Sequence, residues 1–527
     1  MMLTENNQTK IGLKKIGHWL FLPFCENLGY SLGLFALMVA MPFVQHFQRG
    51  EYVYIIYVAM LFFIMANILS YATGNWGKVS QYLLKPLTIL LLIIIFICNY
   101  FCFLKFQCLL SADYFQVIQG TNTDEVYEFL QTYLEDKDIF SILILFFLSI
   151  ITCWLLNSYF SFYHHHLLPK LSFLFFVVSL GSIYYNHGVI QTELFDDAKW
   201  HFDASECIDL RNHLQHPIIQ EVDSLHPSVI VIIIGESFSK NHSSLYNYEK
   251  ETNPRLSLQK ENGNLVVFEN VIAPDVITTN VFKYLLNTMT LQDASKGAKW
   301  YDAVTLIEAF SCAGYYTQWL SNQKETGIWD NLPSGHAKIC DSYSFIDSKH
   351  VEYDGCLLDK PYDIEIKKHK KNAIFFHLMG QHENFGHRYP KEFSLYQAAD
   401  YLSEKKNQRE VLSNYDNATL YNDYVVDSII SSFSDKDAVV VYFSDHSLDI
   451  FDTDDSFYGH ARGTRESKEH CMQIPFMVYV SPSMQQLSPD LLSKLNTMKQ
   501  CNLCTDQLFF WILDWCGYKF IRSSIYE

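Results

Sequence analysis

The chain has 527 residues and a formal net charge of −18, from 39 Lys and Arg against 57 Asp and Glu. It is too long for one ordinary domain, and it lacks the basic stripe that neutralises nucleic-acid phosphates, which excludes that class of partner. Its apolar residues crowd into the first 190 positions, while the rest has the mixed texture of a globular domain with ample core.

Five apolar stretches approach the roughly 20 residues that a 30 Å hydrocarbon layer demands. They are Leu28–Val44, Val53–Ala72, Leu87–Leu104, Ile139–Leu156 and Leu171–Tyr185. The first lacks a small-residue cleavage site and more follow it, so no cleavable signal peptide is expected. Lys10, Lys14, Lys15, Lys78, Lys85 and Lys170 all fall on one side if the spans alternate, and the positive-inside rule assigns that side to the cytoplasm. His164, His165 and His166 join Lys170 there as interfacial polar residues. The acidic loop Ser111–Asp138 and everything beyond the fifth span then lie outside. The expected organisation is a membrane domain over 1–190, a connector over 191–227 and an exported domain over 228–527.

Eight of the 13 cysteines fall in the exported part. An even count in an oxidising compartment predicts disulfides. Cys340 with Cys356 is the preferred pair, closing a short polar loop. Cys501-x-x-Cys504 has no second such pair to make a zinc or redox motif and reads as a structural disulfide or as ordinary buried thiols.

Beyond the connector, Val229–Ile234, Ala373–Phe376, Ala438–Phe443 and Phe476–Val480 are continuous β-branched or aromatic runs, as buried parallel strands are. Ala303–Ala313 and Asn417–Phe433 carry helical spacing. This alternation predicts an α/β sandwich with a mainly parallel sheet.

In such sheets the site lies beyond the carboxyl ends of the strands. The first run leads into Gly235-Glu236-Ser237, the third into Ser444-Asp445-His446, and the second into His377-Leu378-Met379-Gly380-Gln381-His382. Two carboxylates and an imidazole converging on one edge suit Zn²⁺, with a position left for an oxygen nucleophile. Alone, Glu236 reads as a helix cap and Asp445-His446 as a strand-end turn. Their common placement after buried strands favours the metal.

The stretch Ile233-Ile234-Gly235-Glu236-Ser237, then Ser244-Leu245-Tyr246-Asn247-Tyr248 and Glu251-Thr252-Asn253-Pro254, resembles the opening signature of the bacterial phosphoethanolamine transferases of the alkaline phosphatase/sulfatase superfamily. Phe376 to His382 with Arg388-Tyr389-Pro390, Phe443 to His446 with His460, and His470 to Tyr479 with Pro475 agree with it. The resemblance covers essentially the whole chain. It implies a multi-span α-helical membrane domain followed by a sulfatase-like domain, in the bacterial inner membrane with the catalytic part in the periplasm.

Carried over by position, it implies that Glu236, Asp445 and His446 hold zinc and that Thr278 completes the site as nucleophile, with Thr279 one residue away. It places His382 and His460 near the transferred group, as phosphate contacts or second-metal ligands. It offers Thr121, Glu125 and Gln323 as contacts to the donor, whereas His377 reads as structural. The expected Asn before Thr121 is Val117, and the Gly-Thr-x-Thr bracketed by cysteines in the lipid A branch is absent, which points toward the branch that modifies the lipopolysaccharide core. The implied reaction takes phosphoethanolamine from phosphatidylethanolamine through a threonine intermediate to a lipopolysaccharide or other surface glycolipid. A glycerol-phosphate transferase of the lipoteichoic acid synthase or periplasmic glucan type is the alternative donor reading, and a membrane scaffold with a degenerate domain is the non-catalytic one. A true sulfatase is disfavoured because no Cys/Ser-x-Pro-x-Arg motif lies near the nucleophile.

Overall fold

A computed structural model describes residues 27–48, 50–74, 76–110, 126–127, 129–130, 133–162, 168–185, 218–223, 226–325, 332–346, 353–359, 366–403, 405–454, 457–460 and 464–521. The chain divides into two compact units, residues 1–114 with 133–201, and residues 115–132 with 202–527. The histidines at His164, His165 and His166 and most of the expected connector lie outside the described residues.

Among the described residues the first unit contains five long apolar helices: α1 (Leu28–Gln48), α2 (Tyr52–Gly74), α3 (Lys85–Phe106), α4 (Asp136–Phe162) and α5 (Leu168–Tyr185). The first four are long and apolar enough to cross a membrane; in the fifth the apolar part spans Lys170–Ser179. Helix α1 lies directly on α4 because Gly29 and Gly33, one turn apart, leave no side chain between them. A Cβ at Gly29 would meet the Leu156 carbonyl oxygen at 2.6 Å, and one at Gly33 the Cys153 sulfur at 3.4 Å. Small residues at this spacing are how helices approach closely where no hydrophobic effect drives them together. The buried Ser31 hydroxyl donates to Asn67 Oδ1 at 2.9 Å, so the polar groups between α1 and α2 satisfy each other.

The second unit is built on a seven-stranded sheet. In chain order its strands are β1 (Val229–Gly235), β2 (Leu265–Phe268), β3 (Tyr316–Lys324), β4 (Ser342–Ile346), β5 (Asn372–His377), β6 (Ala438–Ser444) and β7 (Phe476–Val480). Their order across the sheet is β2-β7-β6-β1-β5-β3-β4. The four pairings from β6 to β4 are parallel, and β7 runs antiparallel to both β6 and β2. The sheet is therefore mainly parallel with a mixed edge. Side chains alternate between faces along each strand. Ile230, Ile232 and Ile234 join one core with helices α7 (Leu306–Cys312) and α9 (Leu508–Trp515). Val229, Val231 and Ile233 join another under helix α8 (Lys406–Ser432). Burial on both faces is why these runs are continuously apolar, each branched side chain being worth about 1.5–3 kcal/mol.

One expectation is corrected here. Cys340 and Cys356 are not bridged to each other. Cys340 packs in the core on the Ile230 face and Cys356 against the core on the opposite face. The sheet stands between them, so closeness in sequence does not become closeness in space.

Candidate metal centre and active site

Register places the site. Gly235 pairs with Ser444, and Ile234 with both Phe443 and His377. The three central strands thus end level, and the residues that follow each one emerge at one edge of the sheet. Glu236 and Asp445 are 2% and 1% exposed, and His446 is fully buried.

The fourth member comes from outside the central strands. Beyond the strand pair ending at Ile272, Asp275 Oδ1 accepts the Val276 and Ile277 main-chain N–H groups at 2.8 and 3.2 Å. That local turn starts helix α6 (Thr278–Phe282) with Thr278 as its first residue. The Thr278 hydroxyl lies 3.3 Å from Glu236 Oε2 and 3.3 Å from His446 Nε2. His446 Nε2 is in turn 3.3 Å from Glu236 Oε1 and 3.4 Å from Asp445 Oδ2. It is Thr278 and not Thr279 that reaches this group; the Thr279 hydroxyl is buried without a hydrogen-bond partner.

Several details suit these four residues to a divalent cation. His446 Nδ1 faces the Ser447 carbonyl at 3.1 Å, so that nitrogen is the donor and Nε2 is the one turned toward the carboxylates and Thr278. Asp445 Oδ1 is occupied by the N–H groups of Ser237 and His446, whereas Oδ2 is buried with no hydrogen-bond partner. Among the described residues, His446 is the only basic group in ion-pair range of either carboxylate. Burial, then the Asp445 charge, pushes the Glu236 carboxyl up to about 8. Burial likewise pushes Asp445 up to about 6. Two buried acids short of positive charge are what a cation would relieve. A tetrahedral ion of zinc's size, with bonds of about 2.0–2.1 Å, spaces its ligands about 3.3–3.4 Å apart. The separations from His446 Nε2 to Thr278 Oγ1, Glu236 Oε1 and Asp445 Oδ2, at 3.3, 3.3 and 3.4 Å, are of that size.

The neighbouring segments hold this geometry. Ser237 sits in the left-handed region at φ 60°, a conformation that costs a non-glycine residue on the order of 1 kcal/mol or more. Three contacts offset it. Its hydroxyl donates to Glu236 Oε1 at 2.7 Å, its N–H to Asp445, and its carbonyl accepts the Tyr415 hydroxyl at 2.9 Å. Neither Ser237 nor Tyr415 is marked as a site residue by the sequence, because a serine after Gly-Glu and a tyrosine on a long helix carry no distinctive spacing.

His460 stands beside the centre, its ring 4.7 Å from that of His446, with Nδ1 3.2 Å from the Val276 carbonyl. Burial, then His446, lowers its tendency to protonate. His382 is held well below the usual imidazole range by burial, then by the neighbouring Arg388 charge. Both are therefore neutral imidazoles near pH 7. His377 is buried under Phe282 and Trp319 with Nδ1 3.4 Å from the Ser321 hydroxyl. The Gln323 side-chain amide donates to the Leu378 carbonyl at 3.0 Å, bridging the ends of β3 and β5. Thr121 and Glu125 lie outside the described residues.

Comparison with known proteins adds the following. A family model described as Sulfatase matches residues 228–518. Phosphoethanolamine transferase EptC of Escherichia coli strain RS218 is 30% identical over 274 residues, 50% of this chain and 47% of the relative. The chain thus spans about half the length of the curated relatives it matches. The C-terminal periplasmic domain of E. coli EptC in complex with Zn superposes with a TM-score of 0.52 at 26% identity, covering 58% of this chain and 86% of that one. The integral membrane protein lipooligosaccharide phosphoethanolamine transferase A of Neisseria meningitidis has the same fold over both units, with a TM-score of 0.64 at 16% identity and coverage of 93% and 95%.

Proposed function

We propose that this chain, which belongs to the sulfatase family, is a zinc-dependent, membrane-anchored phosphoethanolamine transferase. The single observation that carries the proposal is the buried cluster of Glu236, Asp445 and His446 with the Thr278 hydroxyl 3.3 Å from two of them and one carboxylate oxygen lacking a hydrogen bond. The relatives named phosphoethanolamine transferases and the zinc complex of the EptC domain support the choice of group and metal.

Glu236, Asp445 and His446 would hold the ion. Its chemistry there is positive charge, which favours a deprotonated threonine oxygen and offsets charge on the phosphoryl oxygens. Thr278 Oγ1, 3.3 Å from both Glu236 and His446, attacks the phosphorus of phosphatidylethanolamine. The bond from phosphorus to the glyceryl oxygen breaks, and diacylglycerol leaves with a proton. An acceptor hydroxyl or phosphate on a surface glycolipid then attacks the phosphothreonine, and the Thr278 oxygen is the leaving group. His460, whose Nδ1 faces the Val276 carbonyl and so leaves Nε2 as the acceptor, is suited to take the acceptor's proton, whereas His382, whose Nδ1 faces Arg388, would offer an Nε2–H to the phosphoryl oxygens.

Both substrates are lipids, which suits a catalytic fold tethered to apolar helices. With the lysines of the first unit's loops inside, the catalytic unit lies on the periplasmic face of the bacterial inner membrane.

The test is to incubate the full-length protein in detergent with phosphatidylethanolamine labelled in its headgroup and to map the adduct by peptide mass spectrometry. Phosphoethanolamine on Thr278, lost in Thr278→Ala, is the expected result. Labelling from phosphatidylglycerol instead, or an adduct on another residue, would overturn the proposal.

A further inference from the structure

Between β4 and β5 the short helical segment Asp354–Asp359 brings an aspartate under the site from a part of the chain with no catalytic signature. Asp354 is 4% exposed. Its Oδ1 accepts the Met379 N–H and the Asn322 side-chain amide, both at 2.8 Å, and its Oδ2 accepts the Gly380 N–H at 2.9 Å. One carboxylate thus gathers the turn after β5 and the end of β3.

That turn presses on a metal-ligand candidate. Gly380 has φ +51°, and a Cβ there would meet the Glu236 carbonyl oxygen at 2.6 Å and its nitrogen at 2.8 Å. The next residue, Gln381, donates its N–H to the same Glu236 carbonyl at 2.9 Å. His382 N–H then returns to the Met379 carbonyl at 3.1 Å, closing the turn on itself. Asp354 is seated as firmly as the turn it holds. Gly355 N–H donates to the Tyr421 hydroxyl at 2.9 Å, and a Cβ on Gly355 would stand 2.4 Å from that hydroxyl.

We infer that Asp354 is a positioning residue for the metal centre: by holding the Met379–Gly380 turn against the Glu236 backbone, it sets the angle at which the Glu236 carboxylate meets the ion and the place of His382 beside it. The inference rests on the reading of Glu236 as a ligand. A buried carboxylate that accepts three hydrogen bonds from two strand ends resists rotation, and the turn it braces has no freedom to retreat from Glu236. Supporting residues of this kind commonly change metal affinity by about 10–100-fold when altered.

The experiment titrates Zn²⁺ against a competing chelator on the full-length protein and three variants. Glu236→Gln tests the ligand reading: retention of native affinity overturns that reading, and the inference with it. Asp354→Asn, which replaces an acceptor oxygen by an amide facing an N–H, is expected to weaken Zn²⁺ binding about 10–100-fold with turnover largely restored at saturating Zn²⁺. Loss of affinity in Glu236→Gln with native affinity in Asp354→Asn overturns the inference alone. Gly380→Ala pushes the same turn against Glu236 without touching Asp354 and keeps the test decisive if Asp354→Asn does not fold. It is expected to lose affinity on the same scale, and native affinity in it overturns the inference as well.

Discussion

Glu236, Asp445 and His446 offer ligand atoms within 4.8 Å of one another, and so do Asp449, Asp452 and His470 in the same unit. The residue types match, but the electrostatics do not. In the first group both carboxyls are pushed upward and one oxygen is left unpartnered. In the second, Asp449 spends both oxygens on the N–H groups of Asp452 and Thr453 and the hydroxyls of Thr453 and Ser467. Asp452 stands between His242 at 3.6 Å and His470 at 3.1 Å. Burial works against its charge, yet the two imidazoles prevail and hold its carboxyl well below the usual range. His242 also faces Asp416 at 3.2 Å; burial opposes its proton, but the two aspartates win and raise it to about 9. The second group is neutralised from within the chain, whereas in the first the carboxyls stay pushed upward. Clusters of Asp and His are thus separated by what their oxygens already hold, and residue type alone does not separate them.

The largest effect that would break this comparison lies at Thr278. Thr278→Ala should reduce transfer by on the order of a thousandfold or more while zinc, still offered three ligands, stays measurable by metal analysis. Asp452→Asn should do the reverse. It leaves His242 and His470 facing an amide and should lower the stability of the catalytic unit by about 1–3 kcal/mol in urea, with zinc content unchanged.

A pH series sharpens the contrast. Glu236 has a raised carboxyl in the metal-free fold, so its contribution to stability is full below about 4.5 and is lost as pH climbs through about 8. His242 is raised too; its contribution is full below about 6.5 and is lost through about 9. Melting curves with and without chelator should therefore diverge between pH 5 and 8, where Glu236 titrates. Loss near pH 9 should occur in both. The smallest effect is expected from Tyr248→Phe. It removes one hydroxyl at 2.8 Å from Asp416 Oδ2 while Tyr401 still donates to that oxygen, a cost of about 0.5–1.5 kcal/mol in the same urea titration.

Several elements were legible because a local signal specified them. The apolar runs at Val229, Ala373, Ala438 and Phe476 are strands, since burial on both faces leaves no room for polar residues. The helix read over Asn417–Phe433 begins eleven residues earlier, at Lys406, where the opening Lys406-Asn407-Gln408-Arg409-Glu410 is wholly polar. Strand β4 (Ser342–Ile346) escaped notice because it lies at the sheet edge with partly exposed side chains. The bridge expected between Cys340 and Cys356 failed because a spacing of sixteen residues says nothing about which face of a sheet each thiol joins.

By itself, the sequence determined the apolar spans, the central strands and the carboxylates and imidazole that follow them, because periodicity and strand-end placement are properties of short segments. Only the tertiary structure decided that three strands end level, that Thr278 rather than Thr279 turns toward their ends, and that Asp354 and Gly380 brace Glu236 from behind. Those outcomes depend on register and on contacts between residues 42 to 208 positions apart, distances across which a chain carries no local pattern to read.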